Sequence, residues 1–155
     1  MLNTTSNIMS NQVDLLFEEY KKSRKTNLDR EQFAYLTKLY PALLICMSDG
    51  VLDEEEWEGI VMATKGLAEE FVRTPEDDKE QIAINFRTEF RYLLDNIEKW
   101  QKKFLNALND SIKDNQSDKE FVLECMYLFA NAADGISDEE RDKIDVLARR
   151  LNLEG

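Results

Sequence analysis

Apolar residues return every three or four places along most of this chain, the spacing of helices that bury one face. Val13, Leu16, Phe17 and Tyr20 make the first stripe. Phe33, Leu36, Tyr40, Leu43, Leu44 and Met47 make the second, with Asn27 or Asp29 placed to cap it. Pro41 lies inside that stripe and frees the carbonyl of Thr37, so a kink or a split just before it is expected. A third helix should run from about Glu54 to Val72, where Thr74-Pro75-Glu76 stops it and opens another, Thr74 capping and Pro75 first in the helix. Between 76 and 112 the apolar positions predict one long helix or two joined near Asp95–Asn96. Residues 113–117 read as a loop, and Ser117 with Glu120 as a capping box for the next helix. The last helix is expected from Asp138 to about Leu151.

Two stretches repeat one another: Met47-Ser48-Asp49-Gly50-Val51-Leu52-Asp53-Glu54-Glu55-Glu56 and Ala132-Ala133-Asp134-Gly135-Ile136-Ser137-Asp138-Glu139-Glu140. In each, an apolar helical pattern meets Asp-Gly, then a hydrophobic residue, then a capping residue with Glu three places on. Glycine takes the left-handed conformation that ends a helix, and the capping box starts the next. An offset of 85 lays Leu36 on Phe121, Tyr40 on Cys125, Leu43 on Leu128 and Leu44 on Phe129. After the turn the offset is 84, laying Ile60 on Ile144, Ala63 on Leu147 and Leu67 on Leu151. This is the pattern of a diverged internal helix-turn-helix repeat. The domain reading is a flexible N-terminus, 1–10, then a single all-α domain, 11–155. Within it lie repeat 1 at about 30–68, a helical insert at 76–112 and repeat 2 at about 117–152. The fold expected is one bundle of six or seven helices.

Charge narrows the range of partners. The 155 residues carry a net charge of −12, with only 5 Gly and 2 Pro to interrupt helices. Most of the negative excess falls at 49–80, in and after the first turn, with a second share around the other turn. Nucleic acid is excluded as a partner, because phosphate binding needs a basic face. The cluster at 21–25 reads as cations at a helix C-terminus. With no His at all, Ser-His and Cys-His nucleophiles and most catalytic zinc sites are excluded. Cys46 and Cys125 are isolated on apolar faces and read as reduced, buried small hydrophobes of a cytoplasmic protein. The N-terminus lacks the pattern of a signal peptide, and the longest apolar run, residues 40–47, is too short to insert into a membrane.

Asp49, Glu56, Asp134 and Glu140 are candidate ligands for one or two hard divalent cations, with Asp53 a further ligand or a cap. Mg²⁺ and Ca²⁺ take oxygen ligands, so they fit this set better than Zn²⁺. An EF-hand is rejected. Its leading ligand positions would fall on Ile45 and Met47, and the closing Glu of the second copy on Arg141. Alone, each acidic run is also what a helix N-terminus favours.

The paired Asp-Gly turns, each followed by Ser or Asp and then Glu across a long helical insert, resemble the tellurite-resistance TerB family over about residues 30–152. The resemblance implies an all-α fold with an internal repeat and an acidic, metal-binding cluster falling on Asp49, Glu56, Asp134 and Glu140. It also implies a bacterial cytoplasmic protein of tellurite or other stress responses, acting beside stress-response or membrane-associated partners. The reading is therefore a non-enzymatic, divalent-metal-binding TerB-like protein. A metal-independent, co-chaperone-like module that docks basic partners on its acidic face is the alternative. A metal-dependent hydrolase ranks third, since no Lys, Arg or His stands in the two motifs to stabilise a transition state.

Overall fold

Local capping chemistry sets where the helices begin. The computed structural model describes residues 11–48, 50, 52–131 and 135–154. Among these, seven helices form and no strand does: α1 Gln12–Ser23, α2 Arg30–Cys46, α3 Glu54–Glu69, α4 Lys79–Asp95, α5 Ile97–Ile112, α6 Gln116–Ala130 and α7 Asp138–Arg150. The chain is an all-α bundle, as its periodicity predicts. The expectations for residues 1–10, Asp49 and Asp134 lie outside the described residues.

Asn11 caps α1 by accepting from the Asp14 N–H at 3.1 Å. Asp29 and Gln32 form a reciprocal capping box on α2, at 2.8 and 3.1 Å. That helix passes through Pro41 without splitting. Three boundaries differ from expectation. Helix α4 starts at Lys79, not Pro75, because the Asp77 carboxylate accepts from the Arg73 and Thr74 N–H groups at 2.7 and 3.0 Å and holds a turn there. Asp78 is then the cap. Helix α6 is capped by Asn115 rather than Ser117, its Oδ1 accepting from the Asp118 N–H at 3.0 Å. Helix α3 ends at Glu69, and the following N–H groups fold back on Leu67 and Ala68 in a tighter turn.

The insert is two helices, divided at Asn96, whose backbone leaves the helical region and whose Nδ2 donates to the Tyr92 carbonyl at 2.8 Å. The broadest helix–helix packing is between α2 and α6, with α7 lying against both. Helix α3 packs chiefly on α4, and α1 on α5. Inside, Tyr20, Phe33, Tyr40, Trp100 and Phe104 are fully buried and in ring contact. The Tyr40 hydroxyl is buried there without a hydrogen-bond partner among the described residues.

A carboxylate enters this interior. Glu89 is 2% exposed and accepts from the Tyr20 hydroxyl at 2.6 Å. Arg24 reaches the same carboxylate, Nη2 donating to Oε2 at 3.3 Å, with Nε 3.0 Å from Oε1 but not aligned for a hydrogen bond. The guanidinium also lies 4.1 Å from the centre of the Tyr92 ring. Thus Arg24, which the sequence places among cations at the end of α1, turns inward and ties α1 to α4.

Candidate functional site

Both turns depend on glycine for the same reason. Gly50 and Gly135 each have φ of 85°. An added Cβ would meet nothing within 4 Å at Gly50, and only the Asn131 Oδ1 at 4.0 Å at Gly135. Backbone conformation rather than crowding therefore requires glycine at both positions.

Each turn leads into a complete capping box. The Asp53 Oδ1 accepts from the Glu56 N–H at 2.8 Å, and the Glu56 Oε1 accepts from the Asp53 N–H at 3.1 Å. Ser137 and Glu140 repeat this at 3.1 and 2.9 Å. The two glutamates are half-buried, whereas Asp53, Glu55, Ser137 and Glu139 are exposed.

The turns meet at one cleft of about 240 Å³. Asp53, Glu55 and Glu56 line it from the start of α3, Glu139 and Glu140 from the start of α7, and Ser48 and Gly135 from the turns. Phe129 and Ala130 of α6 form an apolar wall. Residues matched by the offset of 84, Asp53 with Ser137, Glu55 with Glu139 and Glu56 with Glu140, thus share one cleft. No basic residue lines it among the described residues. The positive ends of two helix dipoles offset part of the carboxylate repulsion.

Of the sequence-predicted ligands, the structure brings Glu56, Glu140 and Asp53 together. Asp49 and Asp134 lie outside the described residues. Glu55 and Glu139 also line the cleft and were not among the predicted ligands. Their signal was present in the sequence, since they too are matched by the offset. Among the described residues, no group of three or more His, Cys, Asp or Glu is placed to hold a metal.

Cys46 lies within electrostatic reach of the cleft and is 3% exposed. Burial, and then the charges of Glu56 and Glu140, push its thiol up to about 12. Burial and Glu124 do the same for Cys125. Both side chains are therefore neutral thiols at physiological pH, and the cleft offers oxygen rather than thiolate.

An alkaline pH dependence follows. The ordinary thiol pKa is 9.0 and the folded value about 12 for each, so between them the unfolded state binds fewer protons. Stability from these thiols is complete below pH 9 and falls as pH rises towards 12. Buried Tyr20 and Tyr40, whose phenols burial also pushes up, add to the fall. Urea unfolding at pH 8 and 10.5 should show the loss, and Cys46→Ala/Cys125→Ala should reduce it. Equal losses in the two proteins would contradict the assignment to the thiols.

Among the described residues no helix is long and apolar enough to cross a membrane. No protein-family model, curated protein or solved structure matches the chain.

Proposed function

We propose that the chain is a TerB-like, non-enzymatic module that holds a hard divalent cation, Mg²⁺ or Ca²⁺, at the cleft between its acidic turns. The observation that carries this reading is that Glu56 and Glu140, at matching positions of two similar turns, converge on one cleft. The donor chemistry fits such an ion. Carboxylate oxygens are the ligands such an ion takes, and the capping bonds orient both side chains. Glu56 and Glu140 would be ligands, and Asp53 a cap that holds Glu56 in place. The resemblance adds Asp49 and Asp134 as the remaining ligands. A bound cation would neutralise the carboxylates and couple the starts of α3 and α7. The role proposed with it is in bacterial cytoplasmic stress responses of the tellurite-resistance type, beside membrane-associated partners.

The test is a thermal melt in excess chelator, then with Mg²⁺, Ca²⁺, Mn²⁺ or Zn²⁺ added back, on the wild type and on Glu56→Gln/Glu140→Gln. Glutamine can keep the capping bond while removing the charge, so the variant should fold and melt no lower than the wild type in chelator. An ion at about 100 times its dissociation constant adds roughly 2.7 kcal/mol, a shift of several degrees. The expected result is such a shift with Mg²⁺ or Ca²⁺, in the wild type only. No shift with any ion, or an equal shift in the variant, sinks the proposal.

The charged residues of the lining, all acidic among the described residues, also support the second reading, a metal-independent face for basic partners. Partner binding that weakens steeply with salt and ignores chelator would favour it.

A further inference from the structure

An apolar groove runs between α3 and α6, beside the acidic cleft. Met62, Ala63 and Leu67 of α3 face Phe121, Cys125 and Leu128 of α6 across it. Met62 and Leu128 are 63% and 64% exposed, the two most exposed large hydrophobics among the described residues. The repeat offset lays Leu128 on Leu43, which is 1% exposed. The shared apolar pattern thus hides a difference, since Leu43 is core and Leu128 faces outward. The groove stays open because α3 packs on α4 and stands off α6, whereas α7, its counterpart, packs on both α2 and α6.

Size and charge identify what would fill it. From Met62 to Glu70, and from Phe121 to Phe129, each wall spans about 12 Å at 1.5 Å per residue. That length suits apolar anchors at i, i+4 and i+7 of one docked helix. The groove holds about 310 Å³, at the small end for small-molecule sites, and has an open apolar rim rather than convergent polar anchors. Its one charged lining residue, Glu70, closes one end. Phe129 lines both the groove and the acidic cleft, so the other end opens towards Glu55, Glu56, Glu139 and Glu140. Exposed Glu124 lies along the α6 edge, near enough to Cys125 to raise its pKa further. A second copy of this chain would set acidic rim against acidic rim at a net charge of −12 each.

We infer that this groove docks an amphipathic helix of a partner protein, apolar at i, i+4 and i+7 and carrying Lys or Arg at both ends. The inference does not require a cation in the cleft.

A display library of helical 16-residue peptides, variable at those three anchors and at both flanks, would be selected against the full chain in excess chelator. Binding of the selected peptides would then be measured by fluorescence anisotropy to wild type, Met62→Glu/Leu128→Glu and Val146→Glu. All three positions are exposed, and melts would verify that the variants fold. The expected result is enrichment of Lys and Arg at the flanks, with at least tenfold weaker binding to the groove variant and unchanged binding to Val146→Glu. Because the groove variant adds negative charge, a peptide held by charge alone would bind it as well or better, and that result overturns the inference. Failure to enrich any binder, or enrichment without basic flanks, also overturns it. So does a concentration-dependent dimer in ultracentrifugation that the groove variant abolishes, which would give the groove to a second copy.

Discussion

Replacing Glu89 with alanine should lower the free energy of unfolding by about 3–5 kcal/mol, the cost of breaking a buried ion pair from one side. The carboxylate is almost wholly enclosed and carries two partners, the Tyr20 hydroxyl at 2.6 Å and the Arg24 guanidinium. Alanine removes the acceptor from both. The Tyr20 hydroxyl, on a fully buried residue, loses its hydrogen bond and keeps its desolvation cost. Arg24 is 22% exposed and recovers part of its hydration, so the penalty should not exceed the usual range. Glu89→Gln should cost less, because an amide oxygen still accepts from Tyr20. Urea denaturation with an unchanged slope would check both values. The triple change Tyr20→Phe/Arg24→Met/Glu89→Met should regain most of the loss, since replacing a whole buried network by apolar groups is often near neutral. A triple variant as unstable as Glu89→Ala would mean that packing around position 89, not the stranded polar groups, sets the cost.

That network shows where sequence reasoning stops. Glu89 and Arg24 each sit at a position where a helical pattern permits a surface charge, and only the packing of α1 on α4 and α5 encloses them. The helices were legible because their signals are local. Asp29 with Gln32, Asp53 with Glu56 and Ser137 with Glu140 are all capping pairs within four residues. The misplaced starts have a local cause too. Around Thr74 and Ser117, polar residues compete to cap, and Asp78 and Asn115 win by geometry that composition does not reveal. For the candidate site, the offset of 84 identified Glu56, Glu140 and Asp53, which share the cleft. It carried Glu55 and Glu139 equally well, yet acidic residues in a first helical turn read as ordinary dipole partners. The groove was hidden for the opposite reason. Leu128 fits the core stripe of its helix, and nothing local indicates that α3 packs on α4 and leaves that side of α6 uncovered.

Phe104→Ala should be as damaging as the loss of Glu89, again about 3–5 kcal/mol, but through a cavity rather than a stranded charge. Phe104 is fully buried and stacks on Tyr40 at 4.6 Å between ring centres. Phe33 lies 5.6 Å away, Tyr20 5.9 Å and Trp100 6.0 Å. These rings come from α1, α2 and α5, so one side chain joins the insert to the helix that leads into the first turn. Each aromatic pair adds about 0.5–1.5 kcal/mol beyond its buried area, and truncation removes several pairs together. The surrounding rings are large and enclosed on every side, which limits how far the site can collapse and places the cost towards the upper end. In a chain of this size the melt should fall by on the order of 10 °C. Phe104→Leu keeps most of the volume and should lose less than half as much. The fluorescence of Trp100, which packs edge-on against Phe104, should change in the alanine variant even where it remains folded. A loss below about 1.5 kcal/mol for Phe104→Ala would show that the neighbouring rings close over the gap. The insert would then be joined to α2 by the rest of the core rather than through this one residue.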